Sequence, residues 1–118
     1  MYIMAMSSRL KPLVFRGNAR AILQEFPETT QDDAGYSLFR IQMGREPDDW
    51  KPMPTVGAGV SEIRIKDEAG IFRVFYVAKF VEAVYVLHCF QKKTQQTDQR
   101  DVELGRKRFK ELVEERGK

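Results

Sequence analysis

Basic side chains recur on neighbouring predicted strands in the second half of the chain. Arg64 lies in a segment of alternating polarity, and Arg73 follows the turn that should lead to the next strand. Because successive side chains of a strand alternate between the two faces of a sheet, both guanidiniums can lie on one surface. Lys92 and Lys93 come directly after a further apolar run. Guanidiniums bind phosphates with paired hydrogen bonds and ammonium groups act as point charges, so this cluster predicts an RNA-binding surface.

Other side chains could extend such a surface. Lys66 shares the strand face of Arg64, and Tyr76 could stack on a base if it is exposed. His88, the single histidine, lies within the apolar run YVLHCF, where a hydrogen-bonded core role is the commoner one. We interpret Cys89 as packing. A structural alternative is that the arginines extend over apolar neighbours and that the lysines are simply solvated.

The composition is typical of a folded, soluble chain. Its 118 residues are 42% hydrophobic and 31% charged, which predicts a single domain over 1–118, with 1–10 as a loose N-terminal extension. The net charge of +3 arises in the second half, where 13 basic side chains oppose 10 acidic ones over 60–118. One cysteine permits no disulfide within the chain, and no segment is apolar enough to span a membrane, so we expect a cytoplasmic protein.

No cofactor or metal is expected. One histidine and one cysteine make a poor set of metal ligands, and the chain has no glycine-rich phosphate-binding motif. Any binding site must therefore depend on local clustering of charge.

The first half predicts a short strand followed by two helices. Residues 11–16 read as an edge strand because Pro12 lacks a backbone donor. Asn18 is a suitable N-cap for a short helix that Pro27 ends. A second helix is expected over 30–43, with apolar residues at i, i+4, i+7 spacing before Gly44. The two helices should form a hairpin, and the proline-rich residues 45–59 should form a loop.

The second half predicts an antiparallel meander. Strands are expected over 60–66, 71–79 and 83–90, followed by a C-terminal helix that Thr97 or Asp98 caps. The first strand alternates, which predicts one buried and one exposed face, whereas the other two carry apolar residues at both parities. The sequence therefore predicts an α+β fold: an N-terminal helical hairpin packed on a twisted antiparallel sheet of about four strands.

Three segments carry a resemblance to a known family. They are GVSEIR at 59–64, FRVFY at 72–76 and LHCFQKKT at 87–94, and the segments LFRIQMG and WKPM support them. The chain resembles the phage-associated HigB-like branch of the RelE/ParE superfamily of type II toxin–antitoxin toxins over 11–113. The resemblance implies the same RelE-like α+β fold.

The resemblance also implies an activity. Members with RelE-like activity are endoribonucleases that cut mRNA on the ribosome, by activating a ribose 2′-OH to attack the neighbouring phosphate, and a lysine serves as the base. On this basis Arg73 binds the scissile phosphate, and Arg64 together with Lys92 or Lys93 acts as base or charge stabiliser. The implied partners are a HigA-like helix-turn-helix antitoxin and mRNA on the ribosome, with translation inhibited as the result.

Two departures from the family pattern favour other functions. Glu62 occupies the position of a second basic residue, and no tyrosine or histidine follows His88. One alternative is a non-enzymatic ParE-like inhibitor that binds a protein target such as gyrase. The other is a catalytically decayed phage-derived homologue that binds only its antitoxin.

Overall fold

The computed structural model describes residues 10–118, so the N-terminal extension expected over 1–10 lies outside the described residues except for Leu10. Three helices and five strands are described. In chain order they are β1 (Leu13–Phe15), α1 (Ala19–Leu23), α2 (Glu28–Gln42), β2 (Trp50–Pro52), β3 (Val60–Asp67), β4 (Gly70–Val77), β5 (Val84–Lys92) and α3 (Gln99–Arg116). No helix among these is long and apolar enough to cross a membrane.

The strands form one mixed sheet in the order β1-β5-β4-β3-β2. The strands β3, β4 and β5 are the predicted antiparallel meander, and β1 is the predicted edge strand. The expectation of about four antiparallel strands is wrong in two respects. The strand β1 runs parallel to β5. In addition, the segment expected to be a loop contains a fifth strand, β2, which pairs with residues 61–63 of β3. With three residues ending in Pro52, β2 is too short to show an alternating pattern.

One face of the sheet packs against the helical hairpin. Ala34, Leu38 and Ile41 of α2, at the predicted i, i+4, i+7 spacing, are buried against it. The sheet contributes alternate residues to the same core: Ile63, Ile65, Phe72, Val74, Tyr76, Val84, Val86 and Cys89. This burial fixes which side chains of β3 and β4 lie on the opposite face.

The opposite face packs against α3. Val102 and Leu112 of the helix join Phe75 and Phe90 of the sheet in a second core. As predicted, Asp98 caps the helix, since its side chain accepts a hydrogen bond from the backbone N–H of Arg100 at 2.9 Å. A second apolar face explains why β4 and β5 carry apolar residues at both parities.

A β-bulge shifts the register of β5 by one residue. Phe75 pairs with His88 while Tyr76 pairs with Val86, so Leu87 is the additional residue. The bulge places two consecutive residues, Leu87 and His88, on the same face of the sheet, whereas Val86 and Cys89 on either side of them lie in the other core. It also places His88, Phe90 and Lys92 on the face that carries Phe75.

Candidate phosphate-binding face

The strand register brings the predicted basic residues together. Arg64 of β3 lies directly opposite Arg73 of β4. Arg73 pairs in turn with Phe90 of β5, and Lys92 lies two residues further along that strand, diagonal to Arg73. Directly opposed side chains on one face of a sheet are neighbours, and diagonal ones lie within reach of long side chains. We call the surface formed by Lys51, Arg64, Lys66, Arg73 and Lys92 the cationic face.

Arg73 lies deeper in this face than the sequence suggested. The expectation was an exposed guanidinium, but only 5% of the residue is exposed. Its Nη1 donates a hydrogen bond to the backbone oxygen of Phe72 at 3.2 Å. Burial lowers the pKa of Arg73, and the nearby Glu62 carboxylate opposes that shift. A guanidinium keeps its charge nonetheless, so Arg73 is a buried cation.

Glu62 is the counter-ion of this cation. The alternating pattern placed Glu62 on an exposed face, and this expectation is wrong because the residue is 1% exposed. Its Oε1 lies 3.4 Å from Nε of Arg73 and 3.9 Å from Nζ of Lys51, which pairs with Glu62 across β2 and β3. The added edge strand β2 gives Glu62 a neighbour on both sides. Sequence reasoning recorded Glu62 as a departure from the family pattern but did not assign it a role.

Arg64 and Lys66 form the exposed edge of the cationic face. The Arg64 side chain is 40% exposed, and its Nε lies 3.8 Å from Oδ1 of Asp49. Both basic residues also line a cleft of about 290 Å³ with Asp33 and Asp48. Acidic neighbours therefore moderate the charge at this edge.

Lys92 lies at the other edge, beside the start of α3. Partial burial and then the nearby charge of Arg73 lower the pKa of Lys92, and the Glu62 carboxylate opposes both. Lys92 and the exposed Lys93 line a cleft of about 340 Å³ that Arg100 also lines. A lysine whose pKa is lowered by burial and by neighbouring positive charge is the kind that can accept a proton.

Two of the predicted RNA-binding residues, Tyr76 and His88, are buried. Tyr76 is buried on the opposite sheet face, and burial raises its pKa to about 12, so the expected stacking platform is wrong. His88 shares the face of Arg73 but is buried, with Nε2 2.7 Å from Oδ1 of Asp101 and its ring stacked on Phe90. Cys89 is buried as expected, and burial raises its pKa to about 12. Within residues 10–118, no group of His, Cys, Asp and Glu could hold a metal ion.

The structure is a small α+β fold whose sheet carries a helical hairpin on one face and, on the other, a C-terminal helix beside the cationic face. A family model described as phage derived protein Gp49-like (DUF891) matches residues 21–110. The chain belongs to this phage-derived family, which is a RelE/HigB-like toxin family. The resemblance stated from the sequence is thus confirmed at the level of the toxin family. No curated protein and no solved structure matches the chain.

Proposed function

We propose that this protein is the toxin of a type II toxin–antitoxin system and acts as a ribosome-dependent mRNA endonuclease that inhibits translation. The observation that carries the proposal is the strand register, which places Arg64 opposite Arg73 and Lys92 diagonal to it on one face. Membership of the Gp49-like family supports it, because that family is associated with toxins and implies an antitoxin partner. The proposed site of action is the cytoplasm, where ribosomes are.

The proposed reaction assigns one role to each basic residue. Arg73 binds the scissile phosphate, and Arg64 stabilises the charge that develops on the phosphorane. The neutral amine of Lys92 accepts the proton of the 2′-OH. The 2′ oxygen then bonds to phosphorus as the bond to the 5′ oxygen breaks, and the 5′ oxygen takes a proton from solvent water. The products are a 2′,3′-cyclic phosphate and a free 5′-hydroxyl. The lowered pKa of Lys92 favours this scheme because it increases the neutral fraction of the amine.

Lys66 and Lys93 extend the proposed RNA path. Lys66 follows Arg64 on the same strand face, and Lys93 follows Lys92 at the opposite edge; both are exposed. In the proposal they bind the phosphates that flank the scissile one. Phosphate contacts of this kind position a strand without reading its sequence.

Cleavage in a translating extract tests the reaction. We expect the purified wild type to cut a defined mRNA at ribosome-bound sites, mapped by primer extension. Lys92→Gln should lower the cleavage rate by about 100-fold, the lower end of what a general base contributes. Lys110→Gln, which removes an exposed lysine of α3, is the matched control and should cut like the wild type. An intact mRNA with the folded wild type would end the proposal.

The proposed antitoxin is a HigA-like helix-turn-helix protein encoded beside the toxin. Induced expression of the chain alone should arrest growth, and co-expression of the neighbouring open reading frame should restore it. If growth arrest persists when the neighbouring open reading frame is co-expressed, the two proteins are not a toxin and its antitoxin.

A specific observation also favours two alternative functions. The burial of Arg73 and its pairing with Glu62 leave less free positive charge for RNA than the sequence suggested. A ParE-like inhibitor that binds a protein such as gyrase, or a decayed homologue that binds only its antitoxin, needs no accessible guanidinium. Inhibition of supercoiling with translation unaffected would select the inhibitor, and expression without growth arrest would select the decayed homologue.

A further inference from the structure

Glu62 lies inside the cationic face, among side chains of opposite charge. On β3 the residues that share its face are Val60, Arg64 and Lys66, and across the sheet its carboxylate lies next to Arg73. Both Glu62 and Arg73 are at least nine-tenths buried. A buried guanidinium without an anion nearby is strongly destabilising, so Glu62 makes the burial of Arg73 tolerable.

The pairing of these two charges is incomplete. Oε1 of Glu62 and Nε of Arg73 lie 3.4 Å apart, yet this contact lacks the geometry of a hydrogen bond. Oε2 of Glu62 and Nε of Arg73 are both buried and have no hydrogen-bond partner among the described residues. Buried charged groups are normally hydrogen-bonded, and a guanidinium offers several N–H donors in a fork that matches a phosphate. Arg73 therefore keeps donors for a second anion.

Lys51 is placed to hold the carboxylate if Arg73 releases it. Oε1 of Glu62 lies between the two cations, 3.4 Å from Nε of Arg73 and 3.9 Å from Nζ of Lys51. The Lys51 side chain is about half exposed and can follow the carboxylate, since its ammonium is on a flexible stem. The same oxygen can thus exchange one cationic partner for the other without leaving the face.

We propose that Glu62 is a built-in competing anion: its carboxylate occupies Arg73 in the free protein, and a phosphate group takes its place while Lys51 retains the carboxylate. The inference rests on the proposed function only in naming the phosphate as that of an RNA strand. A single phosphate ion has only its contact with Arg73 to displace the Glu62 carboxylate. A strand that also contacts Arg64 and Lys92 overcomes it with several contacts, so Glu62 favours strands over single anions.

A titration with inorganic phosphate tests the exchange without any need for cleavage. The Nε–H signal of Arg73 in an NMR spectrum reports binding at this side chain. In Glu62→Gln, which is isosteric but uncharged, we expect phosphate to bind Arg73 about tenfold more tightly than in the wild type, because a negative charge within a few ångströms is removed. The midpoint of thermal unfolding should fall in the same variant, because Arg73 loses its counter-ion.

A tighter binding site in a less stable protein separates this role from a merely structural one, which would weaken binding and stability together. Glu62→Asp keeps the charge but withdraws it by one methylene, so phosphate affinity should rise by less than in Glu62→Gln; this variant provides the test if Glu62→Gln does not fold. Lys51→Gln should weaken phosphate binding, because the Glu62 carboxylate then has Arg73 as its only cationic partner and competes with phosphate more strongly. Unchanged or weaker phosphate binding in both Glu62 variants overturns the proposal.

The outcomes for this exchange and for the nuclease are distinguishable. If mRNA stays intact with the wild type but Glu62→Gln binds phosphate more tightly, the exchange is supported and the nuclease is abandoned. If the wild type cuts mRNA but neither Glu62 variant binds phosphate more tightly, the nuclease stands and the exchange is overturned. Loss of cleavage in Glu62→Gln at unchanged phosphate affinity also overturns it, because the carboxylate then acts on the 2′-OH instead.

Discussion

His88 connects the central sheet to the C-terminal helix through a single side-chain contact. Its Nε2 lies 2.7 Å from Oδ1 of Asp101 in the first turn of α3, and its buried Nδ1 has no partner among the described residues. Burial lowers the pKa of His88, and Asp101 only partly opposes that shift. The histidine is therefore a neutral structural residue at neutral pH, as its apolar sequence context indicated.

This lowered pKa predicts a loss of stability on acidification. The unfolded chain takes up the His88 proton near its ordinary pKa of 6.5, whereas the folded protein does so only at lower pH. The His88 contribution to the free energy of unfolding is therefore fully present above about pH 6.5 and is lost as the pH falls through the folded pKa. Urea unfolding at several pH values should show this decline in the wild type.

His88→Gln is the matched variant, because its amide can still donate to Asp101 but does not titrate. Its free energy of unfolding should decline less than that of the wild type over the same pH range. Parallel declines in the two proteins would assign the acid sensitivity to carboxylates elsewhere.

At the scale of elements, α3 can cover the sheet because one of its helical positions is glycine. A β-carbon at Gly105 would lie 2.9 Å from Cδ2 of Phe75 and 3.0 Å from Cγ1 of Val56. Both neighbours are buried, and Phe75 also makes an edge contact with Phe90 at a centroid distance of 5.1 Å. Gly35 in α2 differs, since nothing lies within 4 Å of an added β-carbon.

The two helical glycines should therefore respond in opposite directions to alanine. Gly35→Ala should raise the free energy of unfolding by up to about 1 kcal/mol, because alanine is the better helix former. Gly105→Ala should lower it by about 1–3 kcal/mol, because overpacking against Phe75 exceeds the gain in helix propensity. Chemical denaturation of both variants measures the difference. Stabilisation by Gly105→Ala would mean that α3 shifts readily on the sheet.

At the scale of the whole molecule, the net charge of +3 is too small for binding to RNA without a specific site. Charge on the cationic face should decide binding instead. The affinity for a single strand falls with salt, by a slope of about −0.7 in log–log form for each phosphate neutralised. Contacts from Arg64, Arg73 and Lys92 together predict a slope of about −2 for the wild type.

Removing one contact should change this slope in a defined way. Arg64→Gln should make the slope shallower by about 0.7, whereas Lys110→Gln on α3 should leave it unchanged. Fluorescence anisotropy with a short RNA strand whose cleavage-site 2′-OH is replaced by hydrogen measures both. Equal slopes for Arg64→Gln and the wild type would remove Arg64 from the proposed RNA path.

The sequence predicted the meander and the shared face of Arg64 and Arg73 because alternation in a strand is a local property. It also predicted the helical hairpin, from apolar spacing on the helices and the short connection at 27–29. It missed β2, which has only three residues, and the parallel pairing of β1 with β5, which depends on contacts distant in sequence. It also missed the burial of Glu62 and Arg73, because the strands and side chains that enclose them are distant in sequence. Alternation gives the face of a side chain but not its depth.

The pairing of β1 with β5 also has a consequence for the order of folding during synthesis. Residues 13–15 cannot pair until residues 84–86 have been synthesised. Two contacts also join the start of the described chain to the last helix, Arg16 with Glu115 and Asn18 with Arg108. Contacts between residues so far apart in sequence form late and slowly. A chain still being translated therefore has not closed the scaffold that holds Arg64, Arg73 and Lys92 in place. We therefore expect the sheet that carries the cationic face to be complete only when nearly all of the chain has left the ribosome.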